Sequence, residues 1–81
     1  TMSDILTRLA RTIESRKGAS PDTSYTAKLL SEGRVKVVRK FGEESIELML
    51  AMANCKKEEV IAESADVVFH WLVLLADAGV T

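Results

Sequence analysis

The chain has one cysteine, one proline and four glycines among 81 residues, its aromatic residues amount to 5%, and its formal charge is only −1. Each shortage excludes something. A lone Cys55 rules out an internal disulfide framework, and with it the disulfide-stapled secreted scaffolds. No run of 18 apolar residues suggests a membrane-spanning helix, and no N-terminal stretch reads as a cleavable signal, so a cytoplasmic setting is expected. With 11 basic residues against 12 acidic ones, nothing draws the whole chain to nucleic acid or to an anionic membrane. Any function based on charge must be local.

Apolar surface is abundant: 47% of the residues are hydrophobic. Folding a chain this short hides only about 60% of the surface that the unfolded form exposes. That is more apolar surface than one small domain covers by itself, so a homodimer or higher homo-oligomer is expected.

The apolar residues recur with a period near 3.6, and no segment shows the alternation of a strand, so the fold class is all-α. The expected architecture is a single domain over residues 1–81, with four or more helices in a bundle completed by dimerisation. Thr1, ahead of Met2, reads as a residue added before the natural start. Ser3 is the expected cap of a first helix to about Lys17, with a stripe of Ile5, Leu6, Leu9, Ala10 and Ile13. Residues 18–23 form the clear loop. A short helix follows from Ser24 to about Glu32, ended by Gly33 in the left-handed conformation. The third helix spans Arg34 to about Ala53, Asn54 and Cys55 make a turn, and the fourth runs from Lys56 to Ala78 with Gly79 just beyond.

At 100° per residue, Val35, Val37, Val38, Phe41, Ile46, Leu48, Met49 and Met52 fall on one half of the third helix, the expected core face. Lys36, Lys40, Glu43, Glu44 and Glu47 occupy a wedge of roughly 100° opposite. The fourth helix is apolar nearly all round and is expected to be buried on most sides. Its narrow polar stripe carries Glu59, Glu63, Asp66, His70 and Asp77.

Residues three apart on a helix point the same way, so Glu44 with Glu47 and Glu63 with Asp66 form two carboxylate pairs. Antiparallel packing through a short turn would bring the pairs face to face. Four carboxylates without counter-charge repel strongly in a low-dielectric site, and a divalent cation removes that repulsion. Oxygen ligands select hard ions; Mg2+ is the expected occupant, with Mn2+ as a substitute, and it keeps positions for phosphate oxygens. Lys36 and Lys40 lie on the same face and could hold phosphate. His70 could brace Asp66 behind the metal or be a hydrogen-bonded core histidine. Either carboxylate pair alone is common on solvated helices; two facing pairs favour metal.

Glu44-x-x-Glu47, fifteen residues, then Glu63-x-x-Asp66 resembles the E-x-x-E…E-x-x-D signature of the all-α nucleoside triphosphate pyrophosphohydrolases, the MazG-like superfamily. The wording SYTAKLLSEG, RKFGEESIELMLA and ESADVVFHWLVLLADAGV is similar to the phosphoribosyl-ATP pyrophosphohydrolase family of histidine biosynthesis. The resemblance implies Mg-dependent hydrolysis of phosphoribosyl-ATP to phosphoribosyl-AMP and pyrophosphate. It also implies Glu44, Glu47, Glu63 and Asp66 as metal ligands, Glu43 or Glu44 as the catalytic carboxylate acting on water, and Lys40 on phosphate. Phe41 stands where the family wording has a smaller residue, and family members continue into another short helix beyond position 81. Two other readings share the acidic pattern: a house-cleaning nucleoside triphosphate pyrophosphohydrolase, and a non-catalytic helical dimerisation module.

Overall fold

The computed structural model describes residues 1–22 and 24–80, which form four helices: α1 (Met2–Ser15), α2 (Tyr25–Ser31), α3 (Arg34–Ala53) and α4 (Lys57–Asp77). No strand occurs among the described residues. Thr23, at the end of the expected loop, lies outside them.

Capping chemistry sets most boundaries. At α1 the expected cap is corrected: Thr1, not Ser3, takes the position, accepting from the Asp4 N–H at 3.3 Å while Asp4 reaches back to the Thr1 backbone. That reciprocal arrangement satisfies one of the four amide donors that a helix start leaves unpaired and pairs the Asp4 carboxylate with the Thr1 ammonium at 3.3 Å. Ser24 caps α2, accepting from the Ala27 N–H at 3.0 Å. Gly33 joins α2 directly to α3 at φ 96° and ψ 167°. The φ is positive as expected, but the ψ is extended rather than left-handed helical, a region almost confined to glycine.

The link between α3 and α4 is tighter than the sequence suggests. Cys55 sits at φ 55°, Cys55 N–H donates to Met52 O at 3.1 Å, and Lys56 N–H donates to Ala51 O at 3.3 Å. This is the double bond of a Schellman stop, which closes the last carbonyls of α3 and usually places glycine where Cys55 stands. The turn reverses the chain. At the far end of the hairpin Arg34 Nε donates to Asp77 Oδ2 at 3.0 Å and its Nη2 to the Asp77 carbonyl at 3.1 Å, tying the start of α3 to the end of α4.

The α3–α4 hairpin is the most extensive packing in the molecule; α1 rests on α4, and α2 bridges α3 and α4. Ile13, Leu29, Val37, Val73 and Ala76 form the buried core, with Leu9, Phe69 and Leu72 packed against it. Burying each larger side chain here stabilises the fold by about 1.5–3 kcal/mol.

This core is narrower than the apolar patterning predicts. Of the expected core half of α3, Val37 is buried, but Val35, Val38, Ile46, Met49 and Met52 are exposed. On α4, expected to be buried on most sides, Ile61, Val68 and Trp71 are exposed. Ile5 of the α1 stripe is exposed as well. The physical reason is that one chain supplies α3 and α4 with only two further helices, one of them of seven residues, which cover one side of the hairpin and leave the other open.

Candidate active site

Buried side chains on α3 recur every seven residues: Val37, Glu44, Ala51. Glu44 therefore occupies a core position, where an ionised carboxylate is costly unless paired. From α4, Glu63, Asp66 and His70 lie along one side at intervals of three and four residues, facing α3 across the hairpin.

The hairpin brings Glu44, Glu63 and Asp66 together, one oxygen from each, all within 4.8 Å of one another. Three carboxylate oxygens this close together are the kind of donor set that hard divalent cations take. Glu63 contributes a second observation. Its Oε2 is buried and has no hydrogen-bond partner among the described residues. Buried polar oxygens are normally satisfied; a cation is the partner that suits an orphaned carboxylate oxygen beside two more carboxylates. The residues fit a hard divalent ion.

Glu47 lies at the edge of this group rather than among its three closest donors. Hydrogen bonding to Glu44 and repulsion from it push the Glu47 carboxyl above the usual range, with Glu63 adding to the effect. Glu44 moves the other way. Burial opposes its ionisation, but the hydrogen bonds from Lys40 and Glu47, together with the charge of Lys40, outweigh that and hold it below the usual range. Lys40 Nζ lies 3.1 Å from Glu44 Oε1, and this bond holds the lysine above its ordinary value.

His70 is buried, and its Nδ1 lies 2.7 Å from the backbone carbonyl of Asp66, not from the Asp66 carboxylate. A carbonyl only accepts, so Nδ1 carries the proton and Nε2 accepts from the Tyr25 hydroxyl at 3.1 Å. Burial above all, with the nearby carboxylates, pushes the Tyr25 phenol up, against the lowering by Lys40; it stays a donor. The Phe69 and His70 rings meet edge to face at 5.0 Å, fixing this corner.

The remaining expected residues are placed elsewhere. Lys36 and Glu43 line a cleft between α2 and α3 together with Tyr25, Lys28, Arg39 and Lys40. Glu43 is not among the three clustered carboxylates, and Lys36 lies 3.9 Å from Glu32. Two acids of the α4 polar stripe do not join the cluster: Asp77 is engaged by Arg34, and Glu59 lies 3.8 Å from Lys56. Tyr25, Lys28 and Arg39 were not singled out by the sequence reading. The available signal was the spacing Tyr25, Lys28, Glu32, which gives α2 one polar side.

Among the described residues no helix is long and apolar enough to cross a membrane. Residues 6–81 match the model of a protein family described as phosphoribosyl-ATP pyrophosphohydrolase. A phosphoribosyl-ATP pyrophosphatase of Rhodospirillum rubrum is 55% identical over 78 residues, which cover 96% of this chain and 67% of the relative. One of Paramagnetospirillum magneticum is 53% identical over 78 residues, covering 96% of this chain and 72% of the relative. One of Caulobacter vibrioides is 46% identical over 80 residues, covering 99% and 74%. With nearly the whole chain matched and an acidic cluster suited to a divalent ion in the hairpin, this chain belongs to the phosphoribosyl-ATP pyrophosphohydrolase family.

Proposed function

We propose that this protein hydrolyses phosphoribosyl-ATP to phosphoribosyl-AMP and pyrophosphate, the second step of histidine biosynthesis, in the cytoplasm. One observation carries the reading within this family: Glu44, Glu63 and Asp66 converge, and a buried Glu63 oxygen there lacks a partner among the described residues. These three side chains, with Glu47 beside them, would hold Mg2+ or, in its place, Mn2+. The ion, when bound, would neutralise charge on the phosphate oxygens and ease deprotonation of water.

The chain's own groups do the rest. Water adds at the α/β-phosphate linkage, the bridging oxygen leaves with pyrophosphate, and the proton from water passes to a carboxylate. Glu43 is suited to receive it, because it lines the cleft, lies near Lys40 and has no hydrogen-bond partner among the described residues. Glu44 is the alternative acceptor, although its pairing with Lys40 makes it the poorer base. Lys40 and Lys36 stabilise accumulating phosphate charge, and His70 fixes the Asp66 turn of α4 through the backbone.

The functional unit in this reading is a homodimer. The chain exposes 5652 Å², where a compact monomer of this size exposes about 4,800 Å². The excess marks an open chain, one face of which is not covered by its own helices. Ile46, Met49, Ile61, Val68 and Trp71 supply an apolar face for the dimer contact.

The test is pyrophosphate release from phosphoribosyl-ATP and from a panel of ordinary nucleoside triphosphates, with Mg2+. Release from phosphoribosyl-ATP at far higher kcat/KM supports the proposal. Preference for the panel would make the protein a house-cleaning hydrolase, and no release from any substrate would leave a non-catalytic dimerisation module.

A further inference from the structure

The cleft between α2 and α3 measures about 240 Å³. That is smaller than the roughly 300–1,000 Å³ of pockets that take a whole small molecule, so it suits one end of a substrate. Lys28, Lys36, Arg39 and Lys40 line it, four of the chain's 11 basic residues, although the net charge is −1. Glu32 and Glu43 line it too, which leaves a local excess of two positive charges, and such an excess draws an anion into a cleft.

The four cations are not equivalent. Lys40 is engaged with Glu44 at 3.1 Å, and Lys36 lies 3.9 Å from Glu32. Lys28 and Arg39 have no ion-pair partner among the described residues, and they come from opposite walls, one from α2 and one from α3. Arg39 precedes Glu44 by five residues, about 140° around α3. Lys40 stands between them in angle, so the cleft leads from the carboxylate cluster at Lys40 towards Arg39.

We propose that this cleft is the subsite for a phosphate monoester remote from the scissile linkage, the ribose 5-phosphate end of phosphoribosyl-ATP, with Lys28 and Arg39 as its direct ligands. The inference rests on phosphoribosyl-ATP being the substrate. The chemistry is complementary: a dianionic monoester offers three acceptor oxygens, the Arg39 guanidinium can meet two of them as a fork, and the Lys28 ammonium meets the third from the other wall. Tyr25, with its hydroxyl held by His70, gives the cleft a side of fixed shape. An ordinary nucleoside triphosphate has no phosphate monoester outside its triphosphate chain to place there. The same contacts therefore select the substrate.

The experiment compares kcat and KM for phosphoribosyl-ATP and for ATP in wild type and in the double variant Lys28→Ala, Arg39→Ala, with circular dichroism to confirm that the helices persist. Both positions are exposed. The expected result is a rise in KM for phosphoribosyl-ATP of roughly 10- to 100-fold with kcat held, and an unchanged rate on ATP. Free ribose 5-phosphate should compete with phosphoribosyl-ATP in wild type and lose that effect in the variant. Unchanged KM, equal losses on both nucleotides, or undiminished inhibition by ribose 5-phosphate would each overturn the proposal alone. Wild type that turns over ATP but not phosphoribosyl-ATP would overturn the functional reading, and the subsite with it.

Discussion

The Lys40 ammonium lies 3.1 Å from the Glu44 carboxylate, one turn away on α3, and gives a core position its counter-charge. Glu44 is 6% exposed, so its ionised form depends on that partner. Its carboxyl is held below the unfolded value of about 4.3, which stabilises the fold above that pH; the contribution is lost as pH falls through the lowered folded-state value. Lys40→Met should therefore cost about 1–3 kcal/mol at pH 7 without metal, and much less once the pH lies below the lowered Glu44 value. Urea unfolding in a chelator at both pH values checks this. An equal loss at both would assign Lys40 a packing role instead.

Glu47 predicts the opposite slope. Its carboxyl is raised by sharing a proton with Glu44 and by repulsion from it. A raised folded-state value stabilises at low pH, and the contribution disappears as pH climbs from about 4.3 through the raised value. In a chelator, Glu47→Gln should keep its melting temperature across that window while wild type declines. Saturating Mg2+ should narrow the difference. Parallel declines in the two proteins would mean that the pair does not share a proton.

Cys55 holds a left-handed conformation at φ 55°, at the Schellman stop of α3. A side chain there costs about 1–2 kcal/mol, partly offset by the extra unfolded-state entropy of glycine. Cys55→Gly is expected to raise stability by about 0.5–1 kcal/mol, and Cys55→Val to lower it. Denaturant midpoints of the two variants measure both changes, and a destabilised glycine variant would contradict the role of this turn.

The open face of the hairpin predicts that the protein sediments as a dimer. Met49 is 60% exposed and Trp71 45% exposed in the single chain, although both are large and apolar. Met49→Glu and Trp71→Glu should shift sedimentation towards a monomer with its helices retained. A wild-type monomer at micromolar concentration would remove this face from the functional unit.

The sequence read the helices well because caps and periodicity are local. Ser24, Gly33 and Gly79 mark boundaries that the structure keeps, and the i, i+3 spacing of Glu63 and Asp66 placed them on one side of α4. It misjudged Val38, Ile46 and Met49 because periodicity reveals an apolar face without saying which chain covers it. Thr1 caps α1 although its place ahead of Met2 gives no local sign of belonging to the helix. Cys55 gave no warning of its conformation, since glycine or asparagine is the usual signal there. The cleft was invisible for a different reason: Tyr25 and His70 lie 45 residues apart and meet only through packing of α2 on the hairpin.

The most direct measurement is pyrophosphate release from phosphoribosyl-ATP as a function of Mg2+ concentration, in wild type and in Glu63→Gln. The account predicts a wild-type rate that rises from near zero and saturates. In the variant, the Mg2+ requirement should move at least roughly tenfold higher, since removing a ligand oxygen weakens the site by more than a supporting contact would. Release that ignores Mg2+, or identical Mg2+ curves for the two proteins, would contradict the claim that the acidic cluster of the α3–α4 hairpin is the metal centre of this hydrolase.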